Sequence, residues 1–260
     1  MRRLILLLVA LIPLSVSAES GLPFMKDLAG DAELPRPWGI GFDFFTMDQD
    51  YSIKNLEFAL PGVSVGDPSE IAVTNDVQHL DLKFDAWVLP FMNVFGIVGR
   101  VDIDTVVDFS TADIMGLPPG VNLGNLPVSF DGTVFGGGFT LAYGTDRWFT
   151  SVTTTWTKTN TSGDLDSTVK STSVQPRIGL LRGSWVFWGG AMYLDTDEKH
   201  SGIFELPFIG GVPFEVELVT KDNWNYTAGA GYEFSDRANL SFEVGFGERT
   251  HTLFNFNYRF

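Results

Sequence analysis

Ten times along this chain, apolar and polar residues alternate with a period of two, and few folds accommodate that pattern so often. From position 80 the even residues Leu80, Leu82, Phe84, Ala86 and Val88 are apolar, while Asp81, Lys83 and Asp85 between them are charged. Successive side chains of a strand point to opposite faces, so this run reads as a strand with one greasy and one wet face. In the next run Phe95, Ile97, Val101, Ile103 and Val107 are apolar, and Arg100, Asp102 and Asp104 are charged. Similar segments cover 38–47, 129–144, 148–159, 169–182, 185–196, 218–234, 239–247 and 252–260. The links alternate in length: short at 90–93, 145–147, 182–184 and 235–238, long at 48–75, 110–128, 160–168 and 197–217. One end of the fold therefore has tight turns and the other long loops, the layout of an antiparallel up-and-down transmembrane β-barrel. The expected fold is all-β, with about ten strands in a range of eight to twelve, over residues 38–260.

A soluble β-sandwich also strings short strands together and would solvate the charges on its outer face, so alternation alone does not separate the two. Trp148 and Trp156 lie eight residues apart with the same parity on one segment. At about 3.3 Å per residue on a tilted strand, that spacing covers much of an apolar band roughly 25 Å tall and suits two interfacial aromatic girdles. At the C-terminus Phe254, Phe256, Tyr258 and the final Phe260 alternate with Asn255, Asn257 and Arg259. In this ending the chain resembles Gram-negative outer-membrane β-barrel proteins, which typically finish in an aromatic residue with apolar residues two and four places earlier. The resemblance is one of architecture and names no activity. It implies that Phe256, Tyr258 and Phe260 form a signal read by the barrel-assembly machinery, that periplasmic chaperones handle the chain, and that membrane lipid and lipopolysaccharide surround it.

The N-terminus agrees with that compartment. Arg2 and Arg3, an apolar run at 4–13 and the small residues Val16, Ser17 and Ala18 have the layout of a secretory signal peptide, residues 1–18, cleaved before Glu19. The run is shorter than the roughly 20 residues of a membrane-spanning helix. The longest uncharged stretch, 114–130, is broken by Pro118, Pro119 and Pro127. A formal net charge of -15 disfavours a sequence-independent grip on nucleic-acid phosphates. The absence of cysteine removes disulfide scaffolds, thiol catalysis and cysteine-ligated metals. Residues 19–37, with Pro23, Pro35 and Pro37, read as a non-strand segment that lies in the periplasm or enters the barrel.

With the aromatics facing lipid, the lumen is the place for function. Its expected lining includes Asp43, His79, Asp81, Lys83, Asp85, Arg100, Asp102, Asp104, Gln175, Arg177, Glu233, Glu243, Asn255, Asn257 and Arg259. Pairing about the turn at 90–93 sets Lys83 opposite Arg100, Asp81 opposite Asp102 and His79 opposite Asp104, an ionic lattice that either stiffens a narrow barrel or lines a path. The row Val134, Gly136, Gly138, Thr140, Ala142 and Gly144 either makes room for bulky side chains from across the lumen or leaves a slot. The apolar stretches at 114–119 and 203–209 are expected to fold over the mouth, extend strands or contact lipopolysaccharide, a partner or a hydrophobic ligand.

Signals for catalysis are thin. No nucleotide-binding glycine loop, His-Glu-x-x-His or Gly-x-Ser-x-Gly occurs, no metal site is expected, and the acidic runs 164–166 and 195–198 lack calcium-loop spacing. Omptin proteases are also ten-stranded outer-membrane barrels, but the similarity stops at strand number and composition, and no catalytic residue carries over. The expectation is a non-enzymatic outer-membrane barrel, structural, adhesive or a small-lumen channel, without a cofactor. The alternative is an outer-membrane hydrolase with an Asp-His site at the loop rim, drawn from Asp104 with His79 or from Asp195 and Asp197 with His200.

Overall fold

The computed structural model describes residues 21–30, 33–59, 62, 64–110, 112–116, 124–162, 166–206 and 210–260. The signal peptide at 1–18 lies outside them, as do parts of the apolar stretches, 117–119 and 207–209. The strands are β1 (Trp38–Phe58), β2 (Ser64–Val65), β3 (Ala72–Leu89), β4 (Met92–Asp108), β5 (Ile114–Met115), β6 (Asn125–Gly144), β7 (Trp148–Ser162), β8 (Asp166–Arg182), β9 (Trp185–Leu206), β10 (Gly210–Thr220), β11 (Trp224–Glu233), β12 (Ala238–Phe246) and β13 (Arg249–Arg259). Ten of them close an antiparallel ring in the order β1, β13, β12, β11, β9, β8, β7, β6, β4, β3 and back to β1. The terminal amide of Phe260 donates to the Trp38 carbonyl at 3.0 Å, so the last residue closes the barrel against the first strand.

Two strands change partner part-way up. β1 pairs with β13 from Gly39 to Gln49 and with β10 from Tyr51 to Phe58. β9 pairs with β11 from Trp185 to Tyr193 and with β10 from Asp197 to Leu206. At that height β11, β12 and β13 have ended and β10 alone replaces them, so a lower storey of ten strands carries an upper storey of eight. The sequence reading has a long loop at 197–217 and a single strand at 218–234. The first instead forms the upper hairpin of β9 and β10, and the second is split between β10 and β11 at residues 221–223.

The storeys have opposite polarity, although the parity of β3 is unbroken from Val73 to Asp85. In the lower storey its even residues Leu80, Leu82 and Phe84 are exposed, 37–52%, and its odd residues Asp81, Lys83 and Asp85 face the lumen. In the upper storey the even residues Thr74 and Asp76 are exposed, while Val73 and Val77 are buried inside. Aromatic side chains rim the lower exterior at two levels, Trp38, Trp148 and Trp185 by the turns and Trp156, Trp224 and Tyr226 eight or so residues higher. Greasy outside and polar inside is the arrangement of a lipid-embedded barrel; polar outside and greasy inside is that of a barrel in water. The upper interior holds two apolar clusters. One joins Met47, Val77, Val101, Ile103, Val134, Met192 and Leu194 across the barrel; the other joins Tyr51, Ile53, Ile71, Val73, Phe109 and Leu218 above it.

This inversion corrects part of the expected lumen. Arg100, Asp102 and Asp104 are exposed on the outer face of the upper storey, and their apolar neighbours Val101 and Ile103 are the buried ones. The turn before β4 is tighter than expected, with Leu89 opposite Met92 and a bulge between Trp87 and Leu89. The register therefore pairs Lys83 with Ile97, Asp81 with Gly99 and His79 with Val101, so no like-charge rungs cross this hairpin inside the lumen. Outside, Asp76 lies between Asp48 and Asp104 on the adjacent strands, and Arg100 binds Asp131 at 2.7 Å.

Candidate functional site

The inward side chains of the lower storey enclose a cavity of about 550 Å³. Its two walls differ because the strands supplying them differ. β7 and β8 alternate hydroxyls inward, Ser151, Thr153, Thr155, Thr157 and Thr159 facing Ser171 and Ser173, and Thr140 shares a 2.9 Å hydrogen bond with Thr153. β1, β3, β8, β12 and β13 supply the ionised groups of three networks.

The first sits by the turns. Asp85, on β3, accepts from Asn93 at 2.6 Å, Arg259 at 2.7 Å and Asn257 at 3.2 Å, and the Arg259 guanidinium lies 5.8 Å from the Trp87 ring. The second is a level higher, where Asp43 accepts from Asn255 and lies 3.8 Å from the Lys83 ammonium. That ammonium also lies 5.7 Å from the Phe95 ring. The ring stands over Gly138, whose missing side chain leaves the space; the small row on β6 is thus covered by a large neighbour and leaves no slot at that point. The third network spans the lumen. Arg177 on β8 donates to Glu243 on β12 through two nitrogens, at 2.7 and 2.9 Å, and to Gln175 at 2.7 Å, while the Trp188 indole also donates to Glu243. Glu243 is buried, and a carboxylate removed from water requires such a set of donors.

Of the residues expected from sequence to form a charge lattice, His79, Asp81, Lys83 and Asp85 line the cavity, and Arg100, Asp102 and Asp104 do not. His79 approaches Asp81 at 3.6 Å, and Asp104, its supposed partner for catalysis, faces the other side of the wall. Asp195 and Asp197 likewise point outward while His200 points inward, so neither Asp-His pairing is assembled. Trp148 and Trp156 are exposed on the outer face, as are Phe256, Tyr258 and Phe260 on the last turn of chain.

The sequence reading missed the arrangement around His200. Its Nδ1 lies 2.7 Å from the Ser167 hydroxyl and its Nε2 3.0 Å from Glu198, and Tyr51 hydrogen bonds the same carboxylate. Burial and the adjacent Glu198 charge push the Tyr51 phenol well above its ordinary value, so it stays protonated and donates. Ser167, Glu198 and His200 are all buried, in the upper storey above the aromatic belt. Ser167 on β8 is the cross-strand neighbour of His200 on β9, and Tyr51 on β1 reaches Glu198, so the four make a polar group at the top of the lumen, which Tyr51 and Glu198 line. The cross-strand pairing of Ser167 with His200 is the signal that would have revealed it, and it depends on a register that sequence alone leaves free.

No family model matches this chain, and no curated protein does. Solved structures do resemble it. The outer-membrane protein OprG from Pseudomonas aeruginosa is 12% identical with a TM-score of 0.44, the match covering 88% of this chain and 99% of that one. The β domain of the Bordetella autotransporter BrkA is 14% identical with a TM-score of 0.42, covering 86% of this chain and 100% of that one. An outer-membrane channel from Pseudomonas putida F1 is 12% identical with a TM-score of 0.36, over 89% and 98% of the two chains. All three are outer-membrane proteins, and the likeness is too loose to transfer any residue or activity.

Proposed function

We propose that this chain is an outer-membrane β-barrel with a non-enzymatic, structural or surface role, its lumen a closed cup and not a continuous pore. The observation that carries this reading is the pair of buried apolar clusters inside the upper storey, packed beside the hydrogen-bonded group of Tyr51, Glu198 and His200. An ion leaving the 550 Å³ cavity upward would have to pass Met47, Val101, Ile103 and Leu194, whose side chains replace none of its hydration shell, and then the hydrogen-bonded group of Tyr51, Glu198 and His200. The upper storey then stands above the membrane as a water-exposed barrel, close enough to the lipid surface for Arg100, Lys158 and Lys170 to meet the anionic groups of lipopolysaccharide.

In this reading residues 1–18 direct export and are cleaved, and the described part of 19–37 remains at the periplasmic rim. There Phe24 bonds Val88, and Arg36 reaches Asp236 on a turn at 2.8 Å. Chaperones and the barrel-assembly machinery are the expected partners, with Phe256, Tyr258 and Phe260 as the recognised end. Deleting Phe260 should slow insertion, and equal insertion rates would argue against that role. The function is tested by planar-bilayer recording of the purified chain. Absence of discrete conductance steps is expected, whereas stable steps that change on Lys83→Glu or Arg177→Gln substitution would establish a conducting lumen.

A further inference from the structure

Lys158 on β7 and Lys170 on β8 are direct cross-strand neighbours, and both side chains are exposed on the outer face of the barrel. The Cβ atoms of such neighbours lie about 5 Å apart, and like charges directly opposite each other destabilise a sheet. Other cations of the outer wall are balanced within the chain: Arg100 has Asp131 at 2.7 Å, and Lys54 and Lys199 share Glu217 at 2.8 and 3.9 Å. Lys158 and Lys170 have no such partner among the described residues, and Asp197, which stands opposite Lys170 on β9, forms no ion pair with it. We infer that the two ammonium groups hold between them one phosphate of an outer-leaflet glycolipid, the phosphate monoester of lipopolysaccharide. The inference rests on the proposed placement of the upper storey outside the membrane, and it turns a general attraction for anionic lipid into one site.

The surroundings fit a lipid better than a free ion. Trp156 lies two residues below Lys158 on the same outer face, exposed, in the upper aromatic row. Tryptophan rings of that kind sit at headgroup level, and two residues of strand add about 7 Å, so both lysines reach the phosphate layer. An ammonium is a compact charge with three donors on a flexible stem, so the two heads can close on one phosphate. Beside Lys158 on β6 is the exposed ring of Phe135, and four residues below it Phe139 packs against Trp156 with ring centroids 5.9 Å apart. Phe135, Trp156 and Phe139 make an apolar strip that runs from the lysines down the lipid-facing wall, the place for an acyl chain of the same molecule. Thr172, opposite Trp156, and the pair Asn160 and Thr168, two residues above, share the lysines' parity and add neutral hydrogen-bonding groups. The wall formed by β1, β3 and β4 does not offer such a site, because Asp48, Asp76 and Asp104 adjoin there and repel an anion.

The test counts bound lipid by native mass spectrometry on the full chain in detergent micelles. Three probes are titrated: lipid A carrying both phosphates, the same lipid with both removed, and inorganic phosphate. Lipid A should bind about ten-fold more tightly than its dephosphorylated form. The preference should fall part-way in Lys158→Gln or Lys170→Gln alone and vanish when the two are combined. It should persist in Lys54→Gln with Lys199→Gln, which removes the same charge from cations already paired. Heat-modifiable gel migration checks that each variant is folded. No preference in the parent chain, or one that survives the changes at 158 and 170, would overturn the inference. So would inorganic phosphate that displaces lipid A at equal concentration, since the site would then take any phosphate. The underlying placement is read separately, from a spin label at position 160 in vesicles. Collisions there with a water-soluble nickel chelate, without a phosphate preference, would count against this inference alone, whereas collisions only with oxygen dissolved in lipid would count against the placement.

Discussion

At the scale of residues, the lumen is held by charges bound into hydrogen-bonded networks. Glu243 takes three donors from Arg177 and Trp188, and removing the carboxylate leaves a guanidinium that is only 18% exposed without its counter-charge. Glu243→Ala should therefore destabilise the barrel by about 3–5 kcal/mol in urea titrations from lipid vesicles, and the double change Arg177→Met with Glu243→Met by distinctly less. Tyr51 makes a pH test outside the membrane-spanning part. Its raised value means the native state holds the phenol proton more tightly than the unfolded chain does. The associated stability is present below the unfolded value, near pH 10, and is lost as pH rises through the higher native one. Tyr51→Phe should flatten the alkaline limb of a stability–pH curve; an unchanged limb would mean that the phenol is not buried beside Glu198. Parity alone marked Arg177 and Glu243 as inward-facing, but not as partners, because β9 and β11 stand between their strands.

At the scale of elements, the period-two pattern locates nearly every barrel strand but does not say which parity faces inward. Apolar residues face out on β3 from Leu80 to Phe84, yet on β4 Phe95 and Ile97 line the cavity, Val101 and Ile103 are buried inside, and Arg100, Asp102 and Asp104 are exposed. The bulge before Leu89 added a register error that no hydropathy pattern encodes. β3 offers the matching experiment, since Asp76 and Leu82 share its outer face. Leu82→Arg should cost on the order of 2–4 kcal/mol in vesicles, because the guanidinium must enter hydrocarbon, while Asp76→Arg should cost little. Equal penalties would place the two positions at the same depth.

At the scale of the whole molecule, one substitution of strands sets the behaviour. β10 replaces β11, β12 and β13, the ring contracts from ten strands to eight, and the interior changes from a largely polar cavity to one packed by two apolar clusters with a few buried polar groups. The proposed closed lumen rests on that contraction. The contraction is not legible in the sequence because 197–217, with its apolar stretch at 203–209, reads as one long loop, and a strand that pairs two distant partners leaves no local signature. The most direct measurement is collisional accessibility of spin labels placed singly at 73, 74, 76, 77, 80, 82 and 84 of β3 in lipid vesicles. Labels at 80, 82 and 84 should collide with oxygen dissolved in lipid, labels at 74 and 76 with a water-soluble nickel chelate, and labels at 73 and 77 with neither. Lipid-like collisions at 74 and 76, or chelate reaching 73 and 77 through an open pore, would contradict the two-storey account.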